Sequence, residues 1–378
     1  MLEMLNLSGA AGDKKPFKLK KFDITASESI HLLSENGNLY SISPSNVNLS
    51  GVGTATTQWT LVSSDVDDFW AGQASLLFKT RGNSWFVTGY NFFVPRVENT
   101  PVDVTAKVMA INKPIRKIEM GANAIAFLYT DNTLAVAGSG PHLGLGSNTS
   151  VPNLTYVEPP NASLGIRDVA ILDTSVTTWI ISGGDVYGCG NGAYSKFSSS
   201  NGTGQRTSFV RIPNPINSAP LGLKVGYECV YISGSRTDGD ELILGLGNNA
   251  YGSLGAASTI TTVTDISIVT NSVYSPAYGF YPLAQGFVRR INNNIGITGR
   301  TEGTGWGLGT QTYYGITRIT TTASPLWGQI FQRGNYTNTY ILAEDGILYG
   351  SGNASTGKLP GYTTTQTTYV PLDLTGLE

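Results

Sequence analysis

Charge is scarce in this chain. Asp, Glu, Lys and Arg make up 13% of its 378 residues, about half the usual quarter. With 24 basic against 26 acidic side chains the formal net charge is -2. So small a charge supplies no general attraction toward nucleic acid or an anionic membrane, and neither is an expected partner. Cysteine occurs only at Cys189 and Cys229, too few for a disulfide framework and without the close spacing of a zinc site, so both read as small buried hydrophobes. Histidine occurs only at His31 and His142, neither in a recognisable nucleophile setting, so a hydrolytic triad would lack its base. The acidic strings Asp65-Val66-Asp67-Asp68 and Asp238-Gly239-Asp240-Glu241 lack the ligand ladder of a calcium loop and read as polar turns. No catalytic residue, metal site or cofactor is therefore expected. No apolar run approaches the ~18 residues of a membrane span. Lys14, Lys15, Lys18, Lys20 and Lys21 follow the apolar start instead of preceding it, the reverse of a secretory signal, which implies a protein made in a cytoplasm.

What is abundant is turn chemistry. The chain holds 46 glycines, yet 40% of its residues are hydrophobic and 10% aromatic, enough for a packed interior. The stretch Tyr340 to Leu359 shows how the two combine. Apolar runs at Tyr340 to Ala343 and Ile347 to Tyr349 flank Glu344-Asp345-Gly346, and Asp-Gly supplies the positive φ of a tight hairpin turn. Gly350, Gly352 and Gly357 then break up the chain too often for helix or long strand. The same text recurs. Aligned on Gly352, the equivalent positions are Ser43, Gly89, Gly138, Gly190, Gly247 and Gly299, at steps of 46, 49, 52, 57, 52 and 53 residues. A hairpin precedes each, as in Ile30 to Tyr40 and Ala124 to Leu134. Another strand lies upstream, such as Ile118 to Gly121, and a fourth downstream, such as Leu154 to Val157.

Four strands repeated seven times at a period of about fifty, without helical stretches, imply an all-β, seven-bladed β-propeller of four-stranded blades. The division expected is an N-terminal arm over 1–21 and one propeller domain over 22–378, with the strand near Tyr369 to Leu372 meeting the segment around Phe17 to Ile24 where the ring closes.

The loop Gly247-Asn248-Asn249-Ala250-Tyr251-Gly252-Ser253-Leu254-Gly255 resembles the repeat of the regulator of chromosome condensation family, which ends in an aromatic followed by Gly-x-Asn-x-x-Gly-Gln-Leu-Gly. Gly352 to Leu359, Leu143-Gly144-Leu145-Gly146 and Gly305 to Gly309 carry further pieces. The copies are degenerate: the first two lack most of the glycine loop, and Gln is nowhere retained. Kelch repeats have a similar length but want a double glycine in every unit, found before a strand only at Gly183-Gly184. The resemblance implies a seven-bladed ring and, in its best-known members, guanine-nucleotide exchange on a small GTPase through acidic and histidine residues and an inserted wedge. The intervals here leave no room for a large wedge.

The leading expectation is a non-enzymatic structural or binding module. The low charge and the Gly, Ser, Thr, Asn and Tyr content resemble the virion surface proteins of tailed bacterial viruses, on tail, collar or capsid, mediating assembly or host attachment. In that reading Met1, Leu2, Met4, Leu5, Leu7, Lys14 and Lys15 of the arm contact other virion proteins. The loop aromatics Tyr90, Phe92, Phe93, Tyr313 and Tyr314 then contact a host glycan or protein. The alternatives are a cellular partner-binding propeller, as adaptor or exchange factor, and a carbohydrate-binding or lyase propeller.

Overall fold

The computed structural model describes residues 17–377 except 26–28, 45–50, 95, 173–176, 194–195, 198–203, 215–217, 227–228, 237–240, 250–253, 255–259, 267–279, 284–285, 292–293, 302–310, 320–327, 332–337, 344–345, 355–356 and 376. The arm residues Met1 to Lys15 named above lie outside the described residues. The described strands group into seven four-stranded sheets, each antiparallel and each made of consecutive strands. The first holds β1 (Leu19–Ile24), β2 (Ile30–Ser34), β3 (Leu39–Ser43) and β4 (Thr56–Ser63), and the second β5 (Val66–Ala71), β6 (Ser75–Thr80), β7 (Trp85–Asn91) and β8 (Arg96–Asp103). The third holds β9 (Ile115–Met120), β10 (Ala124–Tyr129), β11 (Leu134–Gly138) and β12 (Val151–Val157), and the fourth β13 (Ile166–Leu172), β14 (Thr177–Ser182), β15 (Asp185–Gly190) and β16 (Arg206–Arg211). The fifth holds β17 (Ser218–Val225), β18 (Cys229–Arg236), β19 (Glu241–Gly247) and β20 (Ile260–Asp265), and the sixth β21 (Phe280–Leu283), β22 (Gly286–Ile291), β23 (Asn294–Thr301) and β24 (Gln311–Ile319). The seventh holds β25 (Gly328–Phe331), β26 (Asn338–Ala343), β27 (Leu348–Gly352) and β28 (Gln366–Pro371). The architecture is an all-β propeller of four-stranded blades. Strand pairing thus yields one sheet for each repeat, while the blade count stands at six and not the seven that the repeat implies. Helix is confined to short pieces, among them α1 (Thr105–Val108) and a 3₁₀ turn at Pro141–Leu143.

The anchors found by eye are one structural position. In all seven sheets the ladder between third and fourth strands slips by two residues just before the anchor, at Ser43, Gly89, Gly138, Gly190, Gly247, Gly299 and Gly352. The bulge sets two extra residues of the fourth strand against the third and turns the strand end. At Gly138 the reason for glycine is explicit: φ is +121°, and a Cβ there would sit 2.1 Å from the Asn123 carbonyl oxygen. Glycine alone fits so close a backbone approach at positive φ. Ser43 fills the same register, and its hydroxyl lies 2.6 Å from that of Ser29.

The near-continuous apolar runs follow from sheets covered on both faces. Along β10 every residue is buried. Ile125, Phe127 and Tyr129 pack with Leu77, Trp85 and Val87 of the second sheet, while Ala124, Ala126 and Leu128 pack with Ile166, Val169 and Ile180 of the fourth. The period-2 alternation of a strand thus divides its side chains between two interfaces. First strands contact one another from sheet to sheet, as β1 with β5, β5 with β9 and β9 with β13, which puts them at the inner edge. Fourth strands such as β4 and β8 lie at the exposed rim, where Ser, Thr, Asn and charged residues line the unpaired edge and discourage strand addition.

The chain ends meet as expected, though without exchanging a strand. Phe22 and Tyr340 rings lie 5.4 Å apart, Trp59 donates its indole N–H to the Asp373 carbonyl at 3.3 Å, and residues of both terminal sheets share one core cluster. β1 pairs with β2, and β28 with β27. Closure therefore rests on packed side chains.

Candidate functional site

The inner edge carries the strongest electrostatics. Lys21 on β1 donates to Asp68 Oδ1 on β5 at 2.8 Å and to the Phe69 carbonyl at 2.5 Å. Lys117 on β9 repeats this on the fourth sheet, donating to Asp168 Oδ1 at 2.9 Å and to the Val169 carbonyl at 2.8 Å. The second oxygen of Asp168 accepts the Leu223 N–H at 2.7 Å, which ties the fifth sheet into the same group. Burial works against the charge of Lys117, but the Glu119 and Asp168 carboxylates outweigh it and hold the ammonium above its ordinary range. Lys224 is pushed down by burial and then by the charge of Lys117. These are clasps between blades. Asp67 and Asp68, read as a polar turn, lie on β5 within them, and no His, Cys, Asp and Glu grouping able to hold a metal occurs among the described residues.

The histidine and cysteine side chains are buried. His31 on β2 has no exposed surface and packs edge-on against Phe69 at 6.3 Å; burial lowers its pKa to about 3. Both free cysteines are buried, and burial raises the Cys189 thiol well above its ordinary range, away from the reactive thiolate.

His142 differs, because it stands at a cleft. The loop after β11 leaves the third sheet at Gly138 and crosses to the fourth. Ser139 N–H donates to the Asn123 carbonyl at 2.9 Å, and Gly146 N–H donates to the Thr207 carbonyl at 2.9 Å. Leu145 forms an isolated bridge with Ser208. At Gly144 φ is +75° and a Cβ would lie 2.1 Å from the Phe209 ring, so the retained Leu-Gly-Leu-Gly string is what lets this loop lie flat on its neighbour. Cys189 donates its thiol to the His142 carbonyl at 3.3 Å. Above this loop opens a cleft of about 420 Å³ lined by Asn123, Ser139, Gly140, Pro141, His142, Asn191 and Gln205. Tyr90 of the second sheet stands beside this lining, its phenol oxygen 3.5 Å from Ser139 Oγ. His142 is 2% exposed, neither ring nitrogen has a hydrogen-bond partner among the described residues, and burial lowers its pKa to about 4.

Of the loop aromatics, the structure brings only Tyr90 to this site. Phe92 and Phe93 are a correction: they are 0% and 1% exposed and belong to the core between the second and third sheets. The cause is local, since Asn91 Oδ1 accepts the Phe93 and Val94 N–H groups at 3.0 and 3.3 Å and curls the chain inward. Tyr313 and Tyr314 lie on β24, and their side chains are outside the described residues. Sequence reasoning placed His142 in the loop after the third anchor but did not join it to Asn191 and Gln205, which follow the next anchor.

A ring of blades whose loops converge on one face defines the class of protein, a β-propeller. Among solved structures it is similar to yeast RCC1 (Prp20) bound to Kap60, at 10% identity and TM-score 0.71, covering 100% of this chain and 92% of that one. Prp20p from Saccharomyces cerevisiae, described with its binding to Gsp1p and histones, aligns at 12% identity and TM-score 0.69 over 91% and 88%. Human WBSCR16 aligns at 13% identity and TM-score 0.66 over 85% and 86%. No family model and no curated protein sequence matches. The shared property is an RCC1-like propeller fold.

Proposed function

We propose that this protein is a non-enzymatic, partner-binding propeller that engages another protein through the loop face of its second, third and fourth blades. The observation that carries the reading is a division of chemistry. The His31, His142 and Cys189 side chains are buried, which holds the imidazoles neutral and weakly basic and the thiol protonated, whereas neutral amide and hydroxyl groups of the third and fourth blades line a cleft on one face, with Tyr90 of the second blade beside Ser139. A rigid ring that presents polar loops suits recognition more than bond-making. The similar structures Prp20p, with Gsp1p, and yeast RCC1, with Kap60, bind proteins, and this supports the same use of the ring here. The virion reading rests on composition alone and gains no support from the similar structures. We propose further that all seven sheets serve as blades of one ring. The common bulge at every anchor supports this, and so does the closure of the first sheet on the last. A particle image with six blades and one sheet outside the ring would overturn it.

The test is isolation of the tagged full chain from its own cells with cross-linking mass spectrometry. A stoichiometric protein partner cross-linked near 121–123, 139–143 and 204–205 is expected. A chain recovered alone, or cross-linked only through its rim strands, would contradict the reading. Fluorescent-nucleotide release from small GTPases of the same cells separates exchange factor from adaptor, and no acceleration is expected.

A further inference from the structure

We propose that the cleft between the third and fourth blades binds a neutral saccharide. The inference does not depend on a protein partner. Its lining is selective by what it contains: Asn123 and Gln205 each offer an amide donor and acceptor, Asn191 offers an amide donor beside an Oδ1 that already accepts the Ala193 N–H at 2.9 Å, Ser139 offers a hydroxyl, and Pro141 offers an apolar facet. Among the described residues that line it none carries a carboxylate, ammonium or guanidinium, so they would not neutralise a charged ligand, whose desolvation would then go uncompensated. The volume, about 420 Å³, is in the range of small-molecule sites, roughly 300–1,000 Å³.

His142 supplies the independent observation. A neutral imidazole has one N–H donor and one lone pair, and here both are buried without a partner among the described residues. Leaving a buried polar group unpaired is costly. A hydroxyl group, which donates and accepts at once, is the ligand group that satisfies such a ring, and a sugar presents several in fixed array. His31 has the same unpaired nitrogens among the described residues but packs against Phe69 and is not part of this lining, which makes it an internal control.

The experiment uses the full chain labelled with ¹⁵N-histidine, titrated with glucose, galactose, mannose, N-acetylglucosamine and their common disaccharides. At least one sugar is expected to shift the His142 ring nitrogens saturably while those of His31 stay in place. Gln205→Ala and Asn123→Ala, both at partly or fully exposed positions, are expected to weaken that sugar about 3- to 10-fold each, the loss of a single hydrogen bond. No saturable shift with any sugar overturns the proposal, as does an equal shift of both histidines or unaltered affinity in both variants. A protein or peptide partner that moves His142 when no sugar does so assigns the cleft to that partner and overturns it equally.

Discussion

The interface between the first and second blades and that between the third and fourth are built on one plan and end differently. Each has a lysine on a first strand reaching an aspartate and a main-chain carbonyl of the next blade, through Lys21 and Asp68 in one and Lys117 and Asp168 in the other. Each also buries a histidine with unpartnered ring nitrogens. In the first interface the histidine sits mid-strand against Phe69, and the anchor of that repeat is Ser43. In the other the anchor is Gly138, its loop retains Leu-Gly-Leu-Gly, and the histidine is carried out to a polar cleft. The difference teaches that the glycine loop, beyond marking the repeat, is what turns a closed blade junction into a recess.

That contrast breaks most visibly at the anchors. Gly138→Val places a β-branched side chain at φ +121°, against the Asn123 carbonyl, and is expected to cost about 3 kcal/mol or more from strain and backbone overlap together. Ser43→Ala, which loses the 2.6 Å contact with Ser29, is expected to cost about 1 kcal/mol. Urea denaturation of both variants checks the pair, and equal losses would erase the distinction between the anchors.

The histidines sharpen the comparison by pH. Their folded pKa values, about 3 for His31 and about 4 for His142, lie below the unfolded value near 6.5. The unfolded chain therefore binds more protons as pH falls, and stability is full above about pH 6.5 and is lost on acidification through that value toward the folded pKa. Each histidine contributes a slope of about 1.4 kcal/mol per pH unit in that window, so about 3 kcal/mol by pH 4. Leucine at either position is expected to halve the slope of the histidine-linked loss. A stability that is flat between pH 7 and 4 would show both rings to be solvated.

The clasps give the smallest effect. Lys117→Met removes a partner from Asp168, whose side chain is only 15% exposed but keeps N–H donors from Val169 and Leu223; a loss of about 1–2 kcal/mol is expected. Lys21→Met faces Asp68 at 40% exposure and is expected to cost about 0.5 kcal/mol, much of it screened by salt. Melting temperatures at low and high ionic strength check the ranking, and equal losses in the two variants would contradict it.

The hairpins were legible because their signals are local. Asp345-Gly346 stands between two apolar runs, and Gly346 does take φ +82°. The outer strands were visible in several units, with the second and sixth hairpins weaker, and the anchor spacing located a bulge no one residue announces. The inward turn of Phe92 and Phe93 was missed because Asn91 could as well have introduced an exposed loop. The clasps join residues 47 and 51 apart in sequence, which looks accidental until the period of about fifty is known; opposite charges one period apart on upstream strands are then a readable signal. The cleft was the least legible part, since its walls come from loops of two blades and follow from their placement alone.

The most direct test of partner binding by the loop face is hydrogen exchange of the full chain with and without its cellular partner. Slowed exchange confined to 121–123, 139–143 and 191–192 together with 204–205 is the expected result. Protection spread along the rim strands β4, β8 and β12, with the cleft loops unchanged, would contradict it.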